Sequence, residues 1–165
     1  MADAVTGSFF SFYGPCPGAA SAPRITPAMV AASFWEEVPL PVPRPHIAPG
    51  RAITGKWAYL ETNGQREHVF TRDTPFGPLE IRATGSYTVN WGDGEVTGPY
   101  DFEGKPWPDG QIKHTYTWVG QYDILVTARW VANWSIGPAS GTLRQLRTTG
   151  TIEDFPVEEI QVVVH

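Results

Sequence analysis

The stretch Asn90-Trp91-Gly92-Asp93-Gly94-Glu95 is the most informative part of this chain. It ends an alternating run that begins at Tyr87, and it places an aspartate between two glycines. Glycine supplies the positive φ that a tight hairpin needs, and aspartate accepts hydrogen bonds from backbone amides across such a turn. A turn explains both glycines and the aromatic residue before them, whereas a catalytic role explains only the carboxylate. We therefore predict a hairpin turn at Asp93, with Tyr87, Val89 and Trp91 facing the core.

The composition is that of one globular domain, with or without an appendage. The chain has 165 residues, of which 41% are hydrophobic and 18% are charged, so a buried core is expected. A net charge of −5 argues against nucleic-acid binding, which needs a basic face. No apolar run approaches the roughly 20 residues that cross a bilayer, so we expect no transmembrane segment.

The cysteine content and the N-terminus say little about location. The single cysteine, Cys16, excludes an internal disulfide and a cysteine-based zinc site, and a free thiol is a simpler interpretation than a bond to another chain. The first ten residues lack the features of a signal peptide. Either the protein stays where it is made or a leader was removed.

Residues 1–50 form a Pro/Gly/Ala-rich arm that contains nine of the 16 prolines. The alternating prolines of residues 39–45 predict a polyproline-II strap, which would be a stiff spacer, an arm packed on its own domain or a ligand for another domain. A short helix at about 27–37 is predicted because Thr26 is a good N-cap and Pro27 suits the first position. The Phe34 face of so short a helix must dock on the body of the protein or on a partner.

From residue 51 to residue 165 the pattern has a period of two residues, which predicts β-strands. The segments rich in β-branched and aromatic residues are 51–60, 67–72, 79–83, 87–91, 112–117, 122–134, 142–151 and 157–164. Short strands without helices between them predict an all-β fold, an antiparallel sandwich or barrel.

Three motifs, in order over roughly residues 80–132, resemble a known family. The run from Val89 to Gly94 is followed by His114-Thr115-Tyr116 and then by Gly120-Gln121-Tyr122-Asp123-Ile124-Leu125-Val126. This succession is similar to the PKD (polycystic kidney disease) domain, with Val89 and Asn90 replacing the usual tryptophan and aspartate. The matching residues are Trp91, Gly92, Asp93, Gly94, His114, Tyr116, Gly120 and Tyr122. The resemblance implies an immunoglobulin-like antiparallel β-sandwich and an extracellular or cell-surface location.

A looser similarity extends into the arm. Residues 24–32, 39–41 and 148–150 resemble small secreted PKD-like proteins of actinobacteria that have no assigned activity. This resemblance implies that the Pro-rich region belongs with the β-sandwich rather than to a separate module.

The residues of the second motif have structural roles in this interpretation. A buried tyrosine at 116 or 122 is expected to donate its hydroxyl to a nearby backbone group, as in the tyrosine corner of immunoglobulin-like sandwiches. His114 is then expected to support the hairpin through a hydrogen bond rather than to act as a base.

The sequence contains no catalytic signature. It lacks a Gly-x-Ser-x-Gly elbow, a phosphate loop, a His-Glu-x-x-His motif and a dinucleotide fingerprint, and its four histidines have no metal-ligand spacing. We predict no catalytic residues and no enzyme. The carboxylates of Asp93, Asp101, Glu103 and Asp109 are candidates for Ca²⁺ binding. They are equally well explained as solvated loop charges, and no other cofactor is expected.

Seven tryptophans are more than a sandwich core needs. Trp91 and Trp130 fall on apolar faces and are assigned to the core. Trp107, in a turn-rich loop, and Trp118, at a hairpin tip, are candidate binding residues together with Phe34. For Trp107 the alternative is packing against the arm or the core.

These features predict a non-catalytic module for protein–protein interaction or assembly at a cell surface or outside the cell. One alternative is a carbohydrate-binding accessory module that uses Trp107 and Trp118. Another is a structural subunit of a phage virion or pilus-like assembly, in which the partner is a neighbouring copy.

Overall fold

A computed structural model describes residues 24–160; Cys16 and the other residues of the arm before Arg24 lie outside this range, as do residues 161–165. Within the described range, one helix, α1 (Pro27–Trp35), precedes nine strands. The strands are β1 (His46–Ile47), β2 (Ala52–Ile53), β3 (Ala58–Glu61), β4 (Glu67–Thr74), β5 (Gly77–Asn90), β6 (Val96–Tyr100), β7 (Lys113–His114), β8 (Gly120–Ile136) and β9 (Ala139–Glu158). The predicted all-β class is confirmed. Within residues 24–160, no helix has the length and apolar character needed to cross a membrane.

The strands form two sheets of unequal size. Six strands make the large sheet in the order β2-β9-β8-β5-β4, and β6 pairs with the end of β5. All of these pairings are antiparallel except the short parallel contact between β2 and β9. The strands β1, β3 and β7 make a small antiparallel sheet.

The large sheet buries one of its two faces. Ile81 lies opposite Trp134 and Val89 lies opposite Val126, and all four side chains are buried. The alternate residues, such as Arg82, point to the other face and are exposed. The prediction that Tyr87, Val89 and Trp91 face the core is confirmed by their burial. The same holds for the alternating residues Ile124, Val126, Ala128 and Trp130 of β8.

The described part of the arm packs on this buried face. The indole Nε1–H of Trp35 donates to the carbonyl of Arg144 at 2.9 Å. The hydroxyl of Thr148 accepts from Nε1 of Trp130 at 3.0 Å and donates to the carbonyl of Pro41 at 2.7 Å. The arm residues in the buried core are Ala31, Trp35, Val38, Leu40 and Ile47. Over residues 24–50, the arm is therefore part of the same core as the sheets.

Helix α1 begins where it was predicted but docks mainly through a different face. The Thr26 hydroxyl caps it by accepting from the amide of Met29 at 3.2 Å, and Pro27 is the first residue. The buried side chains are Ala31 and Trp35, because the large indole meets β9 and satisfies its N–H there. Phe34 lies at the margin of this contact and is half-buried.

Two strands are longer than the sequence indicated. Strand β5 passes through Gly85, where a break was expected, because a Cβ at that position would lie 3.2 Å from the ring of Trp130. The glycine thus makes room for an indole. Strand β9 continues through two bulges, at which Gln145 and Asp154 have φ angles of 77° and 53°. Strand β6 was not predicted, and the expected strand at 112–117 is reduced to β7.

Candidate functional site

The stretch from Asn90 to Glu95 forms the turn between β5 and β6. The amide of Trp91 donates to the carbonyl of Glu95 at 3.0 Å, and Oδ1 of Asp93 accepts from the amide of Glu95 at 3.1 Å. Gly92 and Gly94 have φ angles of 87° and 97°, a conformation that favours glycine. Asp93 therefore bonds the backbone of its own turn, as predicted.

The other carboxylate oxygen of Asp93 binds His114 on strand β7. Oδ2 lies 2.7 Å from Nε2 of His114, and the imidazole donates because an ionised carboxylate only accepts. The His114 ring stacks on Trp91 with centroids 4.9 Å apart and meets Tyr116 edge-on at 4.8 Å. The side chains of His114 and Asp93 are 11% and 22% exposed. This pair ties the turn to the small sheet.

Two tyrosines donate to backbone carbonyls, as the sequence predicted. The buried hydroxyl of Tyr116 donates to the carbonyl of Trp91 at 2.8 Å, and that of Tyr122 donates to the carbonyl of Trp118 at 2.8 Å. Burial, and to a lesser extent the negative charge of Asp93, raises the pKa of Tyr116. The hydroxyl therefore stays neutral and keeps its hydrogen bond well above neutral pH.

A carboxylate bonded to an imidazole also occurs in hydrolases, where it orients a general base for a nucleophile. Within residues 24–160, the hydrogen-bond partner of the His114 ring is Asp93, and no serine, threonine or cysteine is bonded to it. The ring is packed against Trp91 and Tyr116. This arrangement holds strand β7 against the turn that contains Asp93.

The carboxylates that were candidates for calcium do not gather into a site. In the part of the chain that the structure describes, no three His, Cys, Asp or Glu side chains are placed to hold a metal ion. Both oxygens of Asp93 have hydrogen-bond partners in the turn and on β7. Glu103 and Asp109 line a depression of about 280 Å³ together with Lys105, and Asp101 is exposed.

Both tryptophans that were proposed as binding residues lie on the surface. Trp107 is 74% exposed and Trp118 is 75% exposed, so within residues 24–160 Trp107 is not packed into the core or on the arm. The loop that carries Trp107 lies against β3, because a Cβ on Gly110 would meet the ring of Tyr59 and the carbonyl of Lys105.

A third exposed tryptophan was not singled out in the sequence. Trp57 lies directly before β3 and is 55% exposed. Nζ of Lys113, on the paired strand β7, lies 4.6 Å from the centre of its ring and 6.0 Å from that of Tyr59. We call the surface formed by Trp57, Tyr59 and Lys113 the lysine–tryptophan face. The sequence does contain a signal for this surface. The chain has only three lysines, Lys56, Lys105 and Lys113, and Lys56 directly precedes Trp57.

An apolar depression lies beside helix α1 at the other candidate residue, Phe34. It has a volume of about 370 Å³ and is lined by Ile25, Met29, Val30, Ser33, Phe34 and Pro75. Ile25 and Met29 are 67% and 48% exposed. The guanidinium of Arg72, on β4, lies 4.8 Å from the centre of the Phe34 ring. We call this surface the α1 depression; it adjoins β4, the last strand of the large sheet.

Comparison with known proteins does not identify the chain. No family model, no curated protein and no solved structure matches it.

The two turn glycines should differ in their tolerance of alanine. Both have positive φ, which costs a residue with a Cβ about 1–2 kcal/mol. A Cβ on Gly92 would also lie 2.5 Å from the carbonyl oxygen of Asp123, whereas one on Gly94 would meet nothing within 4 Å. We expect Gly92→Ala to lower the free energy of unfolding by about 1–3 kcal/mol more than Gly94→Ala, as measured by urea denaturation. Equal losses in the two variants would contradict the close approach of the turn to β8.

Stability should fall in alkaline solution because of Tyr116. Its pKa is raised in the folded state, whereas in the unfolded chain a tyrosine titrates near pH 10. The stabilising contribution is thus complete below about pH 10 and is lost as the pH rises from there toward the folded pKa, by at most about 1.4 kcal/mol per pH unit. Urea denaturation between pH 8 and pH 11 should show a flatter decline for Tyr116→Phe than for the wild type. Parallel curves would show that Tyr116 titrates normally in the folded protein.

Proposed function

We propose that the protein is a non-catalytic module for protein–protein interaction or assembly, and that it binds an extended segment of a partner protein at the α1 depression and the edge of β4. The observation that carries this proposal is an exposed apolar depression directly beside the terminal strand of a sheet. The edge of β4 and the α1 depression each supply one part of peptide recognition.

Strand β4 supplies the backbone part. It is eight residues long and ends the large sheet, with no strand paired on its outer side within residues 24–160. Such an edge presents backbone N–H and C=O groups with which another extended segment can form hydrogen bonds, as an added strand. The charges of Glu67, Arg72 and Asp73 on this strand discourage indiscriminate pairing with apolar strands, so a partner needs a further point of recognition.

The α1 depression supplies that further point. His68 and Phe70 lie opposite Ala83 and Ile81, so they project on the buried side of the sheet, where α1 also lies. Side chains on the same side of an added strand would extend toward the depression, whose lining is almost wholly apolar. The partner chemistry that fits is an extended protein segment with one large apolar side chain, leucine or an aromatic residue.

The non-catalytic part of the proposal is supported by the packing of Asp93 and His114. These are the titratable side chains that come closest to a catalytic pair, and their hydrogen bond holds the turn against β7. A structural role therefore accounts for both groups.

We also propose that the fold is the PKD-like, immunoglobulin-like sandwich and that the protein acts at a cell surface or outside the cell. Supporting this are the contacts among the residues that resemble the family, Trp91, Asp93, His114 and Tyr116. A subunit of a phage virion or pilus-like assembly would use the same surface, with the next copy as the partner.

A substitution in the α1 depression should abolish partner binding without unfolding the protein. Met29→Glu puts a charge into the depression at a residue that is 48% exposed. Val131→Glu is the matched control, because Val131 is 40% exposed on the solvent face of β8. Peptides selected from a random display library on the wild-type protein should contain a large apolar residue and bind Met29→Glu at least about tenfold more weakly. They should bind Val131→Glu with unchanged affinity.

The same variants test the assembly form of the proposal by sedimentation velocity. An oligomer of the wild type should dissociate in Met29→Glu and persist in Val131→Glu. A wild type that is monomeric at all concentrations, together with a library that yields no peptide sensitive to Met29→Glu, would overturn the proposed function. Deleting residues 1–50 is not a usable test, because Trp35 and Leu40 belong to the buried core.

A further inference from the structure

We propose that the lysine–tryptophan face is a second binding site, and that its ligand is an acidic polysaccharide built from pyranose rings that carry carboxylates. This site shares no residue with the α1 depression, so the proposal stands or falls separately from the proposed function. It rests on the position of two aromatic rings, on the distribution of lysine and on the sheet that holds them.

The first observation is the aromatic surface on the outer side of the small sheet. Along β3, Ala58 and Leu60 are buried, while Tyr59 lies on the opposite side and is half-buried. Trp57 precedes them and is 55% exposed. Flat, exposed aromatic rings held by a β-sheet offer the apolar C–H faces of sugar rings a rigid surface for stacking.

The second observation is the charge of this surface. The protein is acidic, with a net charge of −5, and its three lysines are Lys56, Lys105 and Lys113. Nζ of Lys113 lies over the rings of Trp57 and Tyr59. Lys56 adjoins Trp57 in sequence, and the loop of Lys105 lies against Tyr59. Within residues 24–160, Lys113 has no carboxylate partner in an ion pair.

These two observations select the ligand class together. The Lys113 ammonium lies over the Trp57 ring and can bind a carboxylate there, while the part of the aromatic surface that it leaves uncovered stacks on the sugar that carries the carboxylate. A neutral polysaccharide would use only the rings, and an acidic peptide would use only the cations. Glu61 follows Tyr59 by two residues on β3, and Asp109 precedes Gly110 on the adjoining loop; these negative charges favour an anion close to Lys113.

The experiment is a binding titration of the full chain by isothermal calorimetry with oligogalacturonate, a chain of pyranose carboxylates. Cello-oligosaccharide serves as the neutral comparison and poly-L-glutamate as the acidic peptide. We expect oligogalacturonate to bind and the other two to bind at least about tenfold more weakly. Trp57→Ala should weaken binding about tenfold or more, through the lost stacking surface. Lys113→Gln should weaken it to a similar extent and reduce its dependence on salt.

Matched controls separate this site from general effects on the surface. Phe76→Ala removes another partly exposed aromatic ring, at the turn between β4 and β5, and Arg129→Gln removes a cation from the solvent face of β8; both should leave the affinity unchanged. Absence of oligogalacturonate binding would overturn the proposal. Equal binding of poly-L-glutamate that does not depend on Trp57 would also overturn it, because the lysines would then act as a simple cation patch.

Discussion

The contact between strand β7 and the turn of Trp91 to Gly94 is the interaction on which the rest of this structure depends. The strands of the small sheet are two to four residues long, too short to be stable as an isolated sheet. Tyr116 donates a buried hydrogen bond to the carbonyl of Trp91, and His114 binds Asp93 while stacking on the indole of Trp91. Removing one partner of either hydrogen bond would leave the other polar group without its partner beside aromatic rings, which lowers the stability of the fold. These bonds therefore fix the small sheet over the buried face of the large one.

Both proposed binding surfaces lie on or beside the elements that cover the large sheet. The α1 depression is formed by α1 and the turn before β5, and the lysine–tryptophan face is formed by β3 and β7. Rigid placement of exposed side chains by a packed scaffold is the common arrangement of binding sites. The arm contributes directly to this rigidity, because Trp35 and Pro41 are hydrogen-bonded to β9 or to one of its side chains.

The sequence predicted what depends on local geometry. The turn at Asp93 follows from two glycines with positive φ, and the burial of Val89 and Trp91 follows from the period of two residues. It did not predict features that depend on distant contacts. Gly85 suggested a break in a strand but makes room for Trp130, and α1 docks mainly through Trp35 because β9 offers its indole a carbonyl. Likewise, Trp57 and Lys113 are 56 positions apart in number and meet only because β3 pairs with β7.

The most direct measurement of the central claim is a double-mutant cycle between Asp93 and His114. The free energies of unfolding of Asp93→Ala, His114→Ala and the double variant would be determined by urea denaturation at neutral pH. If the pair holds β7 against the turn, the sum of the two single losses should exceed the loss in the double variant by about 0.5–3 kcal/mol, the range found for contacting residues. Losses that add within about 0.3–0.5 kcal/mol would show that the two side chains do not stabilise the fold together, and would contradict this account.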